Sequence, residues 1–150
     1  MIRDELKTGL VDSMKAKDST RVAAIRLIQA AIKNRDIEAR TGGAPADDDV
    51  LVMEVLGKMA KQRRESIEMF EKGNRPELAA AEQAELAVIE SFLPKQMSED
   101  EAKAAIAALV TEAGATSVKD MGAVMALVKA RLQGQIDMSK ASGMVKAALS

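Results

Sequence analysis

Three features of this 150-residue chain predict an all-α fold. Apolar residues recur at spacings of three and four, and nowhere do they alternate with polar ones over the length of a strand. The aromatics are reduced to Phe70 and Phe92, so the core must come from Leu, Ile, Val, Met and Ala. Leu, Met and Ala among these are strong helix formers. Capping residues, glycines and prolines punctuate the chain at helix-length intervals.

The elements follow in order. Ile2, Leu6, Leu10 and Met14 mark the first helix, and Lys17-Asp-Ser-Thr20 supplies a break and a cap. The second helix runs from about Thr20 to Arg40, with Val22, Ile25, Ile28 and Ile32 on one side. Thr41-Gly-Gly-Ala-Pro45 ends it, through glycine's conformational freedom and proline's missing donor. Asp47, Asp48 and Asp49 place negative charge where a helix start favours it. The third helix then carries Val52, Leu56, Met59, Ile67 and Phe70. It stops at Lys72-Gly-Asn-Arg-Pro76, where Asn74 or Arg75 precedes a first-turn proline of the fourth helix. Leu78, Ala81, Leu86 and Ile89 form the inner face of that helix.

Phe92-Leu-Pro94-Lys-Gln-Met-Ser98 is the one convincing internal boundary. It predicts a bundle-like four-helix part over residues 1–94 and a small three-helix part over 95–150. In the second part, Ser98 and Glu101 have the spacing of a capping box. Ala102, Ile106 and Leu109 give a short stripe, and Gly114 closes the helix. Ser117 with Asp120 opens the sixth helix, whose seam reads Val118, Met121, Met125, Val128 and Leu132. Gly134 ends that helix, and Asp137 caps the seventh, with Ala141, Val145 and Ala148 inward.

Composition then narrows the chemistry. There is no Cys and no His, which removes disulfides, thiolate nucleophiles, imidazole bases and Cys/His metal sites. Neither a Gly-x-Ser-x-Gly elbow nor a Gly-x-x-x-x-Gly-Lys-Ser/Thr phosphate loop occurs. Ser13, Ser66, Ser91 and Ser142 fall inside predicted helices, while Ser98 and Ser117 are caps. Glu65, Glu68, Glu82, Glu85 and Glu90 lie on the third and fourth helices. A two-metal carboxylate site usually adds Glu-x-x-His pairs, so solvated faces, or a pair with Arg63 or Arg64, explain these glutamates better. No catalytic residue, metal site or cofactor is therefore predicted. The N-terminus has charges from the third residue and no long apolar run, which makes a cytoplasmic protein without membrane association the expectation.

The net charge of −1 argues against a sequence-blind nucleic-acid binder. Lys58, Lys61, Arg63 and Arg64 on the third helix, and Arg21, Arg26, Lys33, Arg35 and Arg40 on the second, read as salt-bridged surface. No aromatic platforms accompany them for stacking single-stranded bases. Residues 117–135 hold Lys119, Lys129 and Arg131 against one anion, Asp120, and they contain Gly122 and Gly134. A glycine inside a helix costs roughly 1 kcal/mol against alanine. Gly122 thus points to a close approach, by a neighbouring helix or by a bound RNA backbone. Lys140 lies just beyond, on the seventh helix.

The chain resembles the GatB/YqeY family in its short stand-alone form, along essentially its whole length. The resemblance is carried by Lys15-Ala-Lys-Asp18, Arg26, Ala31-Ile-Lys-Asn34, Lys61-Gln-Arg-Arg-Glu-Ser66, Glu82, Glu85 and Leu93-Pro-Lys-Gln96. It continues through Met121-Gly-Ala-Val-Met125, Gly134, Asp137 and Val145-Lys-Ala-Ala-Leu149. One departure shows: the family usually has a glycine after the aspartate of its last loop, and here Met138 follows Asp137. The resemblance implies a four-helix part followed by a three-helix part. It also implies a relation to the tail of the B subunit of glutamine-dependent aminoacyl-tRNA amidotransferase, which helps hold tRNA while chemistry occurs elsewhere. Carbon–nitrogen ligase activity with glutamine as amido donor is implied by the same analogy. The expectation is a tRNA-binding accessory module in translation, using Lys119, Gly122, Lys129, Arg131, Gly134 and Lys140. The alternative is a protein-interaction module that binds a synthetase or amidotransferase through the helical seam, without RNA.

Overall fold

A computed structural model describes the whole chain, Met1–Ser150. It is all-α, with helices α1 (Ile2–Lys15), α2 (Ser19–Ala39), α3 (Asp48–Lys72), α4 (Pro76–Ser91), α5 (Glu99–Ala113), α6 (Met121–Leu132) and α7 (Met138–Leu149). A single 3₁₀ turn, Val118–Asp120, leads into α6. The chain divides into two compact units, Met1–Pro94 and Lys95–Ser150. No helix is long and apolar enough to cross a membrane.

The first unit is built on Leu6, Ile25, Ile28, Val52, Leu56 and Ile89, all fully buried. The Asp18 carboxylate accepts from the Arg21 amide at 3.1 Å and starts α2. Asp47 does the same for α3, accepting from the Asp49 amide at 2.9 Å, and Pro76 opens α4 after Arg75. Two expectations need correction. Met14 is 52% exposed, and the inner face of α1 runs instead through Leu6, Gly9, Leu10 and Ser13. The buried Ser13 hydroxyl donates to the Gly9 carbonyl at 2.6 Å, which satisfies it without a partner helix. Small residues serve here because α1 comes close to Phe92: a methyl group at Gly9 would lie 3.1 Å from the ring. On α4 the buried alanine is Ala79, and Ala81 is exposed. The stripe from Ala79 to Leu86 passes through Glu82 and Glu85, which Arg63 of α3 makes tolerable on an inward face.

Arg3 ties three helices together. Its guanidinium donates to both oxygens of Asp36 on α2, at 2.6 and 2.9 Å, and to Asp48 of α3 at 2.7 Å. Asp36 is held below the ordinary carboxylate range chiefly by that hydrogen bond.

The second unit packs Ile106, Leu109, Val124, Val128, Ala141 and Val145 into its own core. The capping box at the start of α5 forms, with Ser98 Oγ accepting from the Glu101 amide at 3.2 Å. Gly114 ends the helix with φ near 65°, a left-handed conformation that suits glycine. Val118, expected on the α6 seam, is 43% exposed. It lies in the 3₁₀ turn, whose tighter winding breaks the register before α6 begins. On α7 the stripe is Ala141, Val145 and Leu149, so Ala148 faces outward.

Candidate functional site

The basic residues singled out in the second unit separate into two sets. Lys119, Lys129 and Lys140 are exposed, on the 3₁₀ turn, α6 and α7 respectively. The ion pairs of this unit are Lys103–Glu99 and Arg131–Glu112, so none of the three lysines is neutralised by a carboxylate. Gly122 and Lys129 lie seven residues apart and therefore share one exposed face of α6, two turns from each other. Arg131 projects from the far edge of the same helix. Both its terminal nitrogens donate to Glu112 of α5. That contact lowers the Glu112 pKa from its ordinary value and raises that of Arg131. Arg131 is thus engaged within the unit.

The glycines separate in the same way. Gly122 lies in the first turn of α6, not in mid-helix, and a methyl group added there would meet nothing within 4 Å. No neighbouring helix of the chain crosses at this point. Gly134, with φ near 81°, makes the turn after α6, and its carbonyl accepts from the Gln96 side chain at 2.5 Å. The adjoining Met97 amide donates to the Gln135 carbonyl at 2.9 Å. Gly134 therefore anchors the start of the unit to the α6–α7 loop. Asp137 caps α7, accepting from the Ser139 amide at 2.8 Å. Met138, the departure from the family pattern, is the first residue of α7 and packs on the core. The loop needs no left-handed residue at this point, so glycine is dispensable.

Sequence reasoning missed Gly143. It stands in the middle of α7 on the exposed face with Lys140 and Ala147, and a methyl group there would also meet nothing within 4 Å. The signal was a glycine within a helical pattern, the same one that drew notice to Gly122. The seam proposed for a protein partner faces inward: Val124, Val128 and Leu132 are buried, with Met121 and Met125 packed on them.

Of the glutamates singled out in the first unit, Glu82, Glu85 and Glu90 are taken up by arginines, and Glu68 pairs with Lys72 at 2.8 Å. Arg63 Nε lies 2.7 Å from Glu85 and 3.3 Å from Glu82, and Arg64 donates to Glu90 at 2.8 Å. The buried Arg63 Nε and Glu82 Oε2 complete no hydrogen bond despite their approach. No group of three or more carboxylates converges in a metal-holding arrangement.

Comparison with known proteins adds the family. The chain is 37% identical over 109 residues to "Altered inheritance of mitochondria protein 41, mitochondrial" of Lachancea thermotolerans, covering 71% of this chain and 57% of that protein. The protein of the same name from Eremothecium gossypii is 39% identical over 88 residues, covering 59% and 46%. That of Saccharomyces cerevisiae is 32% identical over 120 residues, covering 76% and 63%. The chain thus spans roughly half to three-fifths of these relatives' length. The family model described as Yqey-like protein matches residues 3–149, and the chain belongs to that family.

Proposed function

We propose that the chain is a tRNA-docking accessory protein whose second unit makes the contact. The observation that carries this reading is three exposed lysines without a carboxylate partner, Lys119 and Lys129 on either side of Gly122 along the chain and Lys140 on the Gly143 face of α7, with the flanks of both glycines open. Ammonium groups supply phosphate contacts, and a helix face bare of side chains admits an RNA backbone. With a net charge of −1, such binding depends on the shape of a folded RNA, not on bulk attraction. The resemblance to the amidotransferase B-subunit tail supports the same substrate class.

Bond-making falls to a companion enzyme, a synthetase or a glutamine-dependent amidotransferase. This chain has no Cys or His, and its serines lie in helices or serve as caps. The proposed compartment is the cytoplasm, although the relatives named above are mitochondrial proteins. Gel-shift titration with folded tRNA tests the reading. Lys119→Glu, Lys129→Glu and Lys140→Glu together are expected to weaken binding strongly, and unchanged affinity would remove the site. Glutamine hydrolysis or ATP-dependent amidation by the pure chain alone would replace docking with catalysis.

A further inference from the structure

Helix α2 is apolar on two sides. Ala24, Ile25, Ile28 and Ile32 are buried in the core of the first unit. Ala23, Leu27, Ala30, Asn34 and Ile37 are all exposed, Leu27 at 47% and Ile37 at 48%. Their spacings of four, three, four and three are those of a coiled-coil seam. Leu27 and Asn34 occupy a positions, while Ala23, Ala30 and Ile37 occupy d. The seam extends about 21 Å, about four helical turns.

One edge of the seam is uniformly basic. Arg26, Lys33 and Arg40 follow one another at seven-residue intervals, the g positions, and all are exposed. None forms an ion pair, although Arg40 lies near enough to Asp36 to help hold that carboxylate low; Arg35, by contrast, reaches Glu54 at 3.8 Å and the Gly43 carbonyl at 3.0 Å. Arg21 is also engaged, 5.3 Å over the Phe92 ring. Along the other edge, Ala24 and Ala31 lean into the core and Glu38 is the only charge.

We infer that this face of α2 docks an amphipathic helix from another protein whose apolar stripe is flanked by carboxylates. The charge row decides the occupant. A second copy packed antiparallel sets the basic row against itself. Packed in parallel, it sets Arg26 against Ala31 and Lys33 against Glu38, so the Lys33–Glu38 pair and its symmetry mate are the only favourable ones. Acidic flanks on a different helix match all three cations. A single asparagine at an a position fixes register at a cost in stability, which fits specific pairing. Leu27 and Ile37 offer neither hydrogen bonds nor a stacking plane, so RNA fits this face poorly.

The test titrates the full chain with two labelled helical peptides of about three heptads. Both carry Leu and Ile at a and d with one Asn opposite Asn34; one has Glu and the other Lys at e and g. The Glu peptide is expected to bind about tenfold more tightly, from several exposed pairs of modest strength. Leu27→Glu with Ile37→Glu should abolish binding while helicity by circular dichroism is kept. Arg26→Glu, Lys33→Glu and Arg40→Glu together should reverse the peptide preference. Equal or absent binding of the two peptides overturns the inference, as does binding that survives Leu27→Glu with Ile37→Glu. Self-association of the chain that this double substitution abolishes would make the occupant a second copy. Displacement of the Glu peptide by tRNA would assign the basic row to RNA.

Discussion

Glu112 of α5 grips Arg131 of α6 with both carboxylate oxygens. This withdraws from the candidate surface the one arginine that sequence position assigned to it. Arg131→Gln is therefore expected to change tRNA affinity by no more than about twofold, the scale of a single exposed charge contact. Glu112→Gln should release the guanidinium and tighten binding slightly. Fluorescence anisotropy with labelled tRNA measures both. A large loss on Arg131→Gln would mean that the arginine leaves Glu112 for phosphate in the complex.

Gly143 carries a second prediction because stability and binding should move in opposite directions. An exposed mid-helix glycine with open space beside it is expected to gain about 0.5–1 kcal/mol on substitution by alanine. The same methyl group stands where the RNA backbone is proposed to approach, so affinity should fall. Urea unfolding and tRNA titration on one Gly143→Ala preparation give both readings. Higher stability with unchanged affinity would place the RNA elsewhere.

At Gly9 the sign reverses. A methyl group there would sit 3.1 Å from the Phe92 ring and 3.5 Å from Ile25, both buried. Gly9→Val is expected to destabilise by about 1–3 kcal/mol through overpacking, measured as a lower urea midpoint at unchanged slope. An unchanged midpoint would show that α1 can move away at no cost.

Asp36 and Asp120 contribute to the acid limb, as do Glu77 and Glu112. Asp36 is held low by Arg3, and Asp120 by hydrogen bonds from the Thr116 and Ser117 amides. A carboxylate whose folded pKa is depressed contributes stability above its unfolded value, near 3.9, and loses that contribution as pH falls through the folded pKa. Asp36→Asn or Asp120→Asn should therefore flatten the loss of stability below about pH 4. Thermal melts from neutral to acid check this, and slopes identical to the unsubstituted chain would contradict it.

Most of the fold was legible because caps and breaks are local. Ser98, Gly114, Asp137 and Pro76 act within a turn of their own positions, so spacing alone located the helices. Which residue of a helix faces inward depends on tertiary partners, which spacing does not show. Helical spacing puts Ala81 on the inner face of α4, because nothing local shows Arg63 crossing from α3 to accompany Glu82 and Glu85. Spacing puts Val118 on the α6 seam because a 3₁₀ turn has no distinct signature over three residues. At the candidate surface the lysines were legible from charge. The engagement of Arg131 and of Gly134 was not, because Glu112 and Gln96 are distant in sequence.

The docking reading is tested most directly by titrating folded tRNA and an RNA duplex with the full chain across salt concentrations, beside the variant carrying Lys119→Glu, Lys129→Glu and Lys140→Glu. Three phosphate contacts predict preferential tRNA binding whose log affinity falls with log salt at a slope of roughly −2 to −3. The substituted chain should lose both the preference and most of the slope. Equal affinity for tRNA and duplex, or an unchanged slope in the variant, would contradict the account.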